Sequence, residues 1–343
     1  MKRLKIYLSL PILCLAAVLF VTAAYASDQA MDSEINYPEI LSISSTPSGI
    51  QITWQLVEGA ESYNIFRKKG NGSWYFVNST DSRTTQYTDS LIFPNVGYSY
   101  TIKALNADQQ IIGGYDLTDN SVIWEIEISE IAAGTELSPI MLEQLGEDQF
   151  FYVEEISDEL FDRMWGKSYK ENCTVPREDL RYIRCLHCDI EGKVKVGELV
   201  MNKIVADTVC DIFRQLYKNH FPIESMLLVD DFDASDEDSI MHNNTSAFNF
   251  RTVDNTDQIS NHAYGLAIDI NPYYNVYYIP SENYIFPEED GWKYLDREAD
   301  FPYKVAPGDL CYQLFTDAGF EWGGWWTYNT DYQHFQYVTD ITY

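Results

Sequence analysis

The chain has 343 residues, more than one ordinary domain holds, so two domains and a connection are the natural expectation. With 45% hydrophobic and 15% aromatic residues it carries ample material for buried cores. Its net charge of −30 argues against nucleic acid as a partner and against adsorption to an anionic membrane surface.

Residues 1–26 read as a signal peptide. Lys2, Arg3 and Lys5 form a positive start, Leu8 to Val21 is apolar, and Ala24-Tyr25-Ala26 offers a small-x-small cleavage site before Ser27. The apolar stretch is long for a cleaved leader, so an uncleaved anchor is the alternative. A lipoprotein reading through Cys14 is weak, because Leu13 precedes it where a small residue belongs. Either way the chain is expected to be exported, secreted or wall-associated if the leader is cleaved and membrane-anchored if it is not. No later run is long enough to span a bilayer.

Residues 37–128 show a period of two. Ile50, Ile52, Trp54 and Leu56 alternate with polar residues; Tyr63 to Arg67, Trp74 to Val77, Tyr98 to Ala104 and Val122 to Ile128 follow at turn-separated intervals. Short strands at this spacing predict an all-β sandwich. The segment has no cysteine, which excludes a disulfide-pinned immunoglobulin domain. Residues 129–149, broken by Ala132-Ala133-Gly134 and opened again by Ser138-Pro139, read as a linker.

Residues 150–343 mix both periods, the pattern of an α+β domain with an antiparallel sheet. Leu180 to Cys188 and Val194 to Val200 predict strands around a turn at Glu191-Gly192-Lys193. Between Asn202 and His220, Val205, Val209, Ile212, Phe213 and Leu216 form an apolar stripe at helical spacing, stopped by Pro222. Met226 to Val229 reads as another buried strand, and Asp309 to Ala318 as a helix ended by Gly319.

The chemistry gathers in Ser260-Asn261-His262-Ala263-Tyr264-Gly265-Leu266-Ala267-Ile268-Asp269-Ile270-Asn271. Leu266, Ile268 and Ile270 fall on one face of a strand, and Asp269 on the other. His262 has the wrong parity to share that face, so the chain must bend, and Gly265 permits the bend. A second half-site is Asp331-Tyr332-Gln333-His334. Two imidazoles and one carboxylate make a three-ligand set that leaves a coordination position open, as in catalytic zinc sites.

Ser260-x-His262-x-x-Gly265-x-Ala267-x-Asp269, with Trp322-Gly323-Gly324 and Asp331-x-x-His334, resembles the zinc D-alanyl-D-alanine carboxypeptidases of the VanY type. Those share a fold with lysostaphin-like peptidases and hedgehog domains. The resemblance runs from about Phe150 to the C-terminus and takes in Gly192 to Glu198, Asn243 to Phe248 and Arg251. It implies one zinc ion on His262, Asp269 and His334, with Asp331 as general base; an acceptor that orients a ligand histidine is the other reading of Asp331. Arg251 becomes a donor to the scissile carbonyl oxygen or to a substrate carboxylate, against an ordinary salt bridge. Ser260 is a substrate hydrogen-bonding candidate or a turn serine. Trp54, the Gly59-Ala60-x-x-Tyr63 turn and Tyr100-x-Ile102-x-Ala104 resemble a fibronectin type III module, a spacer or adhesive element.

Other clusters carry less. The tryptophans of Trp322-Gly323-Gly324-Trp325-Trp326 fit sugar stacking as well as packing, and Tyr273, Tyr274, Tyr277 and Tyr278 are equally ambiguous. Asp230-Asp231-x-Asp233-x-x-Asp236-Glu237-Asp238 lacks the spacing of an EF-hand loop and reads as a solvated acidic loop. Cys185-x-x-Cys188 supplies neither an easy disulfide nor a zinc knuckle. His187, His220 and His242 read as structural. The expected activity is hydrolysis in peptidoglycan stem peptides by a monomer, carboxypeptidase first. The alternatives are an endopeptidase of the L-Ala-D-Glu type and a non-catalytic wall-binding or adhesive protein.

Overall fold

The computed structural model describes residues 38–46, 48–113, 120–253 and 256–341. The leader expected over residues 1–26 lies outside them. Among the described residues no helix is long and apolar enough to cross a membrane.

Eight strands make the N-terminal part: β1 (Ile40–Thr46), β2 (Gly49–Trp54), β3 (Ser62–Lys69), β4 (Tyr75–Asp81), β5 (Gln86–Asp89), β6 (Gly97–Leu105), β7 (Ile111–Gly113) and β8 (Val122–Ile123). They form one sheet in the order β1-β2-β5 and a second in the order β4-β3-β6-β7, with β8 also on β6. The alternation seen in sequence is what closes them: Ile50, Ile52 and Trp54 of one sheet meet Tyr63, Ile65, Tyr100 and Ile102 of the other in a single buried cluster. The result is the antiparallel β-sandwich that the fibronectin-type resemblance implies.

The stretch read as a linker, 129–149, does not run free. It holds β9 (Glu136–Leu137) and α1 (Pro139–Leu145), and β9 pairs with the strand Val194–Asn202. Ile131, Leu137 and Leu142 are buried in the core of the C-terminal part. Ile126 and Met141 pack against that core and against the sandwich core alike. The linker expectation is therefore corrected: apolar residues too sparse to show a period still find a sheet edge to cover.

Next come β10 (Tyr152–Glu155), α2 (Asp158–Met164), β11 (Leu180–Cys188), β12 (Val194–Asn202) and α3 (Ala206–Lys218). The antiparallel sheet runs β10-β11-β12-β9. Helix α3 lays the predicted stripe on this sheet, with Val209, Ile212, Phe213 and Leu216 buried. Met226 to Val229 forms no strand. Met226 O accepts from Glu198 N at 3.0 Å, and Leu227 is satisfied by a side chain, Asn244, which accepts from Leu227 N at 2.8 Å and donates to Leu227 O at 2.9 Å. Helix α4 (Asp236–Met241) follows.

The site sits on a second, three-stranded sheet in the order β13-β18-β16, built from β13 (Ala267–Asp269), β16 (Phe320–Trp322) and β18 (His334–Tyr337). Between them lie β14 (Tyr277–Ile279), β15 (Tyr284–Phe286), α5 (Gly291–Tyr294), α6 (Leu310–Asp317) and β17 (Thr330–Asp331); β17 pairs with β14, and β14 with β15. Leu266, Ile268, Ile270 and Phe335 join the main core behind the site sheet. The fold is thus multidomain: a β-sandwich followed by an α+β unit with antiparallel sheets.

Candidate metal centre

Antiparallel register does most of the assembly. Strands β13 and β18 pair so that Asp269 lies directly opposite His334, which puts their side chains on one face. His262 arrives from a short 3-10 turn over Asn261–Tyr264 that Gly265 ends in the left-handed region, at φ 67°. A side chain on Gly265 would also strike Asn202 N at 2.6 Å, so glycine is required there twice over. The bend expected from parity is present at the residue expected to make it.

His262 Nε2 stands 3.2 Å from His334 Nδ1 and 3.3 Å from Asp269 Oδ2, and His334 Nδ1 stands 3.1 Å from Asp269 Oδ1. A tetrahedron with metal–ligand bonds of about 2 Å has edges of about 3.3 Å. The three side chains are therefore spaced as ligands of one small ion, and all are buried. The far side of each ring is committed. His262 Nδ1 donates to Ala247 O at 2.6 Å, and His334 Nε2 to Gln336 Oε1 at 3.3 Å, which also accepts from Asn261 Nδ2 at 2.5 Å. Protons held there leave the inner nitrogens with free lone pairs, the tautomers a metal needs.

Electrostatics agree with the donor set. Burial disfavours the charge on Asp269, but His262 and then His334 outweigh it and hold this carboxyl well below its ordinary value. Burial likewise works against a charged His262, and Asp269 reverses the outcome, so His262 sits above its ordinary value. The ionised Asp269 beside the two rings favours positive charge in the space between them, where a metal ion would sit.

Asp331 stands beside the set. Burial pushes its carboxyl up to about 7, with Asp269 adding to the rise while His334 and Arg251 pull against it. Its Oδ1 is buried and has no hydrogen-bond partner among the described residues. Gly323 makes the approach possible, since a Cβ there would meet Asp331 O at 2.7 Å and His334 Cβ at 3.3 Å.

Arg251 forms an ion pair with Asp236, and its backbone carbonyl accepts from Ser260 N at 3.0 Å. Ser260 is buried, and its hydroxyl accepts from His262 N at 3.3 Å, capping the turn. That gives Ser260 a structural use. The tryptophans divide. Trp322 is core and donates to Tyr332 O at 2.9 Å, Trp326 lies 5.2 Å from the His334 ring, and Trp325 is exposed. Tyr273, Tyr274, Tyr294 and Tyr303 pack on one another, while Tyr277 receives Asn329 Nδ2 at 3.1 Å and Tyr278 rests on Trp292.

The acidic run is a solvated loop only in part: Glu237 and Asp238 are exposed, while others are paired or buried. Asp230 is buried and accepts from Ser168 N and Oγ at 3.0 and 2.9 Å; Asp231 pairs with Arg163 at 2.6 Å and Asp233 with Lys167 at 2.8 Å. Asp236, which sequence reasoning gave no role, pairs with Arg251. No local pattern separates paired from solvated carboxylates; only the location of the partner arginines and lysines does. The Asn243 to Phe248 run is scaffold, with Thr245 Oγ1 accepting from Asn271 N and Ser246 bridging Asp269 through both backbone bonds. The five cysteines of the described residues are free, and all but Cys173 are buried.

The site thus has the make-up of a centre that could hold one metal ion: three candidate ligand side chains with a carboxylate, Asp331, beside them. Residues 254–337 match a peptidase family model described as D-alanyl-D-alanine carboxypeptidase, a span that contains every ligand and Asp331 but not Arg251. A comparison with curated proteins found no match. Among solved structures the chain is similar to a Fn3-like protein from Clostridium thermocellum, at 26% identity over 23% of this chain and 84% of that one, with a TM-score of 0.20. It is also similar to the fn3 domain of human collagen alpha-1(XX) chain, at 8% identity over 34% and 97%, TM-score 0.23. A third is pectate lyase PelI from Erwinia chrysanthemi, at 11% identity over 23% of this chain and 28% of the lyase, TM-score 0.20. The chain thus spans little more than a quarter of the lyase.

Proposed function

We propose that the protein is an exported, zinc-dependent peptidoglycan peptidase, and that its leading activity is removal of the terminal D-alanine from stem peptides. The observation that carries this reading is the buried His262–Asp269–His334 set at ligand-edge spacing, with a carboxylate next to it, Asp331, whose buried Oδ1 has no hydrogen-bond partner among the described residues. Zinc bound there supplies Lewis acidity toward a carbonyl oxygen and acidifies a water. The residues of the chain do the rest. Asp331, raised by burial into a range where it can both take and give a proton, accepts one from the attacking water and returns it to the leaving amine. Arg251 donates to the carbonyl oxygen as negative charge develops. His262 and His334 are kept in single orientations by Ala247 O and Gln336.

The sandwich brings no group to this chemistry, and we take it as a spacer or adhesive module that keeps the peptidase at the wall. An endopeptidase acting within the stem is the second reading, favoured by the ion pair that neutralises Arg251, because a free terminal carboxylate would have to compete with Asp236 for that cation. Mass analysis of muropeptides digested with the zinc-loaded protein tests both. Loss of one terminal alanine supports the first reading, and cleavage inside the stem the second. Intact muropeptides, with about one zinc bound per chain, would leave a wall-binding protein. His262→Ala and His334→Ala are expected to abolish both zinc binding and hydrolysis.

A further inference from the structure

We infer that Asp236 is the positioning residue for Arg251: it fixes the guanidinium at the mouth of the metal centre and balances its charge there. The inference rests on the hydrolase reading for its kinetic consequence, though not for its geometry.

The geometry begins in the loop before α4. Asp233 and Ala234 both adopt left-handed conformations, at φ 53° and 59°, and turn the chain back so that Ser235 caps α4 and Asp236 opens it. Both carboxylate oxygens of Asp236 are then used. Oδ1 accepts from Asn249 Nδ2 at 2.9 Å, and Oδ2 meets Arg251 Nε. Asn249 is itself tied down, its side chain donating to Ala234 O at 3.2 Å and its backbone N–H to His262 O at 3.2 Å. Arg251 is held at its other end, where Ser260 N donates to its carbonyl. Asp236, Asn249, Arg251, Ser260 and His262 are thus one closed set of contacts, and one member is a metal-ligand candidate.

An exposed ion pair holds its side chains loosely and contributes little. This pair differs in two respects. Each side chain is only about a third exposed, 28% for Arg251 and 32% for Asp236. The carboxylate also lies against the buried Nε edge of the guanidinium as an ion pair rather than a hydrogen bond, and contact at that edge leaves the terminal nitrogens for something else. Of these, Nη1 makes only a 3.3 Å bond to Thr252 O. The charge of Arg251 is felt at both His262 and Asp331, so the anchored end lies within electrostatic reach of the reacting atoms. A donor aimed at a developing oxyanion works only if its direction is set beforehand, and Asp236 sets it.

The test combines a double-mutant cycle with a direct view of the guanidinium. Asp236→Asn, Arg251→Gln and the double variant are compared with the parent for zinc content, thermal midpoint, kcat and KM on a stem peptide. All four are expected to fold and to bind zinc. Asp236→Asn should lower kcat by roughly one to two orders of magnitude with little change in KM, and should have no further effect once Arg251 is Gln. Asp236→Glu, which keeps the charge, should recover part of the loss. Effects of the two substitutions that multiply would overturn the assignment. Independently, the Arg251 Nε–H proton–nitrogen NMR signal should be protected from exchange in the parent and averaged in Asp236→Asn. A parent protein with that signal protected but no hydrolysis would refute the hydrolase reading and leave the anchoring intact. A freely exchanging signal in the parent would refute the anchoring whatever the activity.

Discussion

Asp269 and Asp331 are carboxylates beside the same two imidazoles, yet their surroundings push them apart. His262 and His334 hold Asp269 ionised, whereas burial keeps Asp331 near neutrality. Two acids driven in opposite directions are suited to the two roles proposed for them, Asp269 as ligand and Asp331 as proton carrier. Asp331→Asn keeps size and hydrogen bonding but cannot take a proton, so the variant should fold and bind zinc normally while its rate falls by roughly two to four orders of magnitude. Near-normal turnover with metal in place would place the base elsewhere. Another residue matters for the fold alone. His187 is buried, its Nδ1 bonded to Ile223 O at 2.8 Å, and burial lowers its pKa from 6.5 to about 4. The folded form therefore resists a proton that the unfolded chain accepts below pH 6.5, and stability drains away as pH falls from 6.5 toward 4. At about 1.4 kcal/mol per pH unit the loss is about 3 kcal/mol over that interval. Denaturant midpoints of the parent and of His187→Gln, taken from pH 7 to pH 4, should converge as the pH drops. Parallel curves would mean that His187 does not carry this loss. The sequence marks the three side chains that the structure brings together, His262, Asp269 and His334, because a metal site would need fixed chemistry at fixed spacing. It says nothing of Asp236, whose partner Arg251 is fifteen positions away in a different loop.

At the scale of elements, legibility follows how many residues repeat a pattern. Helix α3 shows its stripe over thirteen residues, and the strands around Gly192 announce themselves by turn and alternation. Strand β9 has two residues and no period to display. Its neighbourhood nevertheless belongs to the C-terminal core: Ile131, Leu137 and Leu142 are buried, Gly134 N donates to Val196 O at 2.7 Å, and Arg184 reaches the carbonyl of Ile131. Arg184 is also buried and bonded to Tyr182, whose hydroxyl donates to Glu198 Oε2 at 2.9 Å. Removing residues 129–145 would take away three buried aliphatic side chains, each worth roughly 1.5–3 kcal/mol, bare the core surface they cover, and strip a buried cation of an acceptor. Against a domain stability of about 5–15 kcal/mol that is a large share. A fragment beginning at Gly146 should therefore be unstable or insoluble, and one beginning at Glu125 should fold. Equal thermal midpoints for the two fragments would show that the segment contributes nothing.

Across the described residues, the sandwich has one core and the C-terminal part its own, and Ile126 and Met141 touch both the sandwich core and the main C-terminal core. Among the described residues, two shared apolar side chains are a slender hydrophobic joint between clusters of this size. The sandwich and the peptidase unit should accordingly unfold in separate steps, the coupling between them limited to what those contacts contribute. All three metal-ligand candidates belong to the second unit. An ion that binds the native site and not the unfolded chain stabilises only the unit that carries the site, by about 2.7 kcal/mol at a free concentration a hundredfold above its dissociation constant. Calorimetry of the full chain should then show two transitions, of which zinc raises one and a chelator lowers that same one. In His262→Ala the responsive transition should stop responding while the other stays where it was. A single transition that moves as a whole with zinc would mean that the joint through Ile126 and Met141 is strong enough to make one cooperative unit of both cores. The sandwich would then have to be counted as part of the peptidase rather than as its carrier.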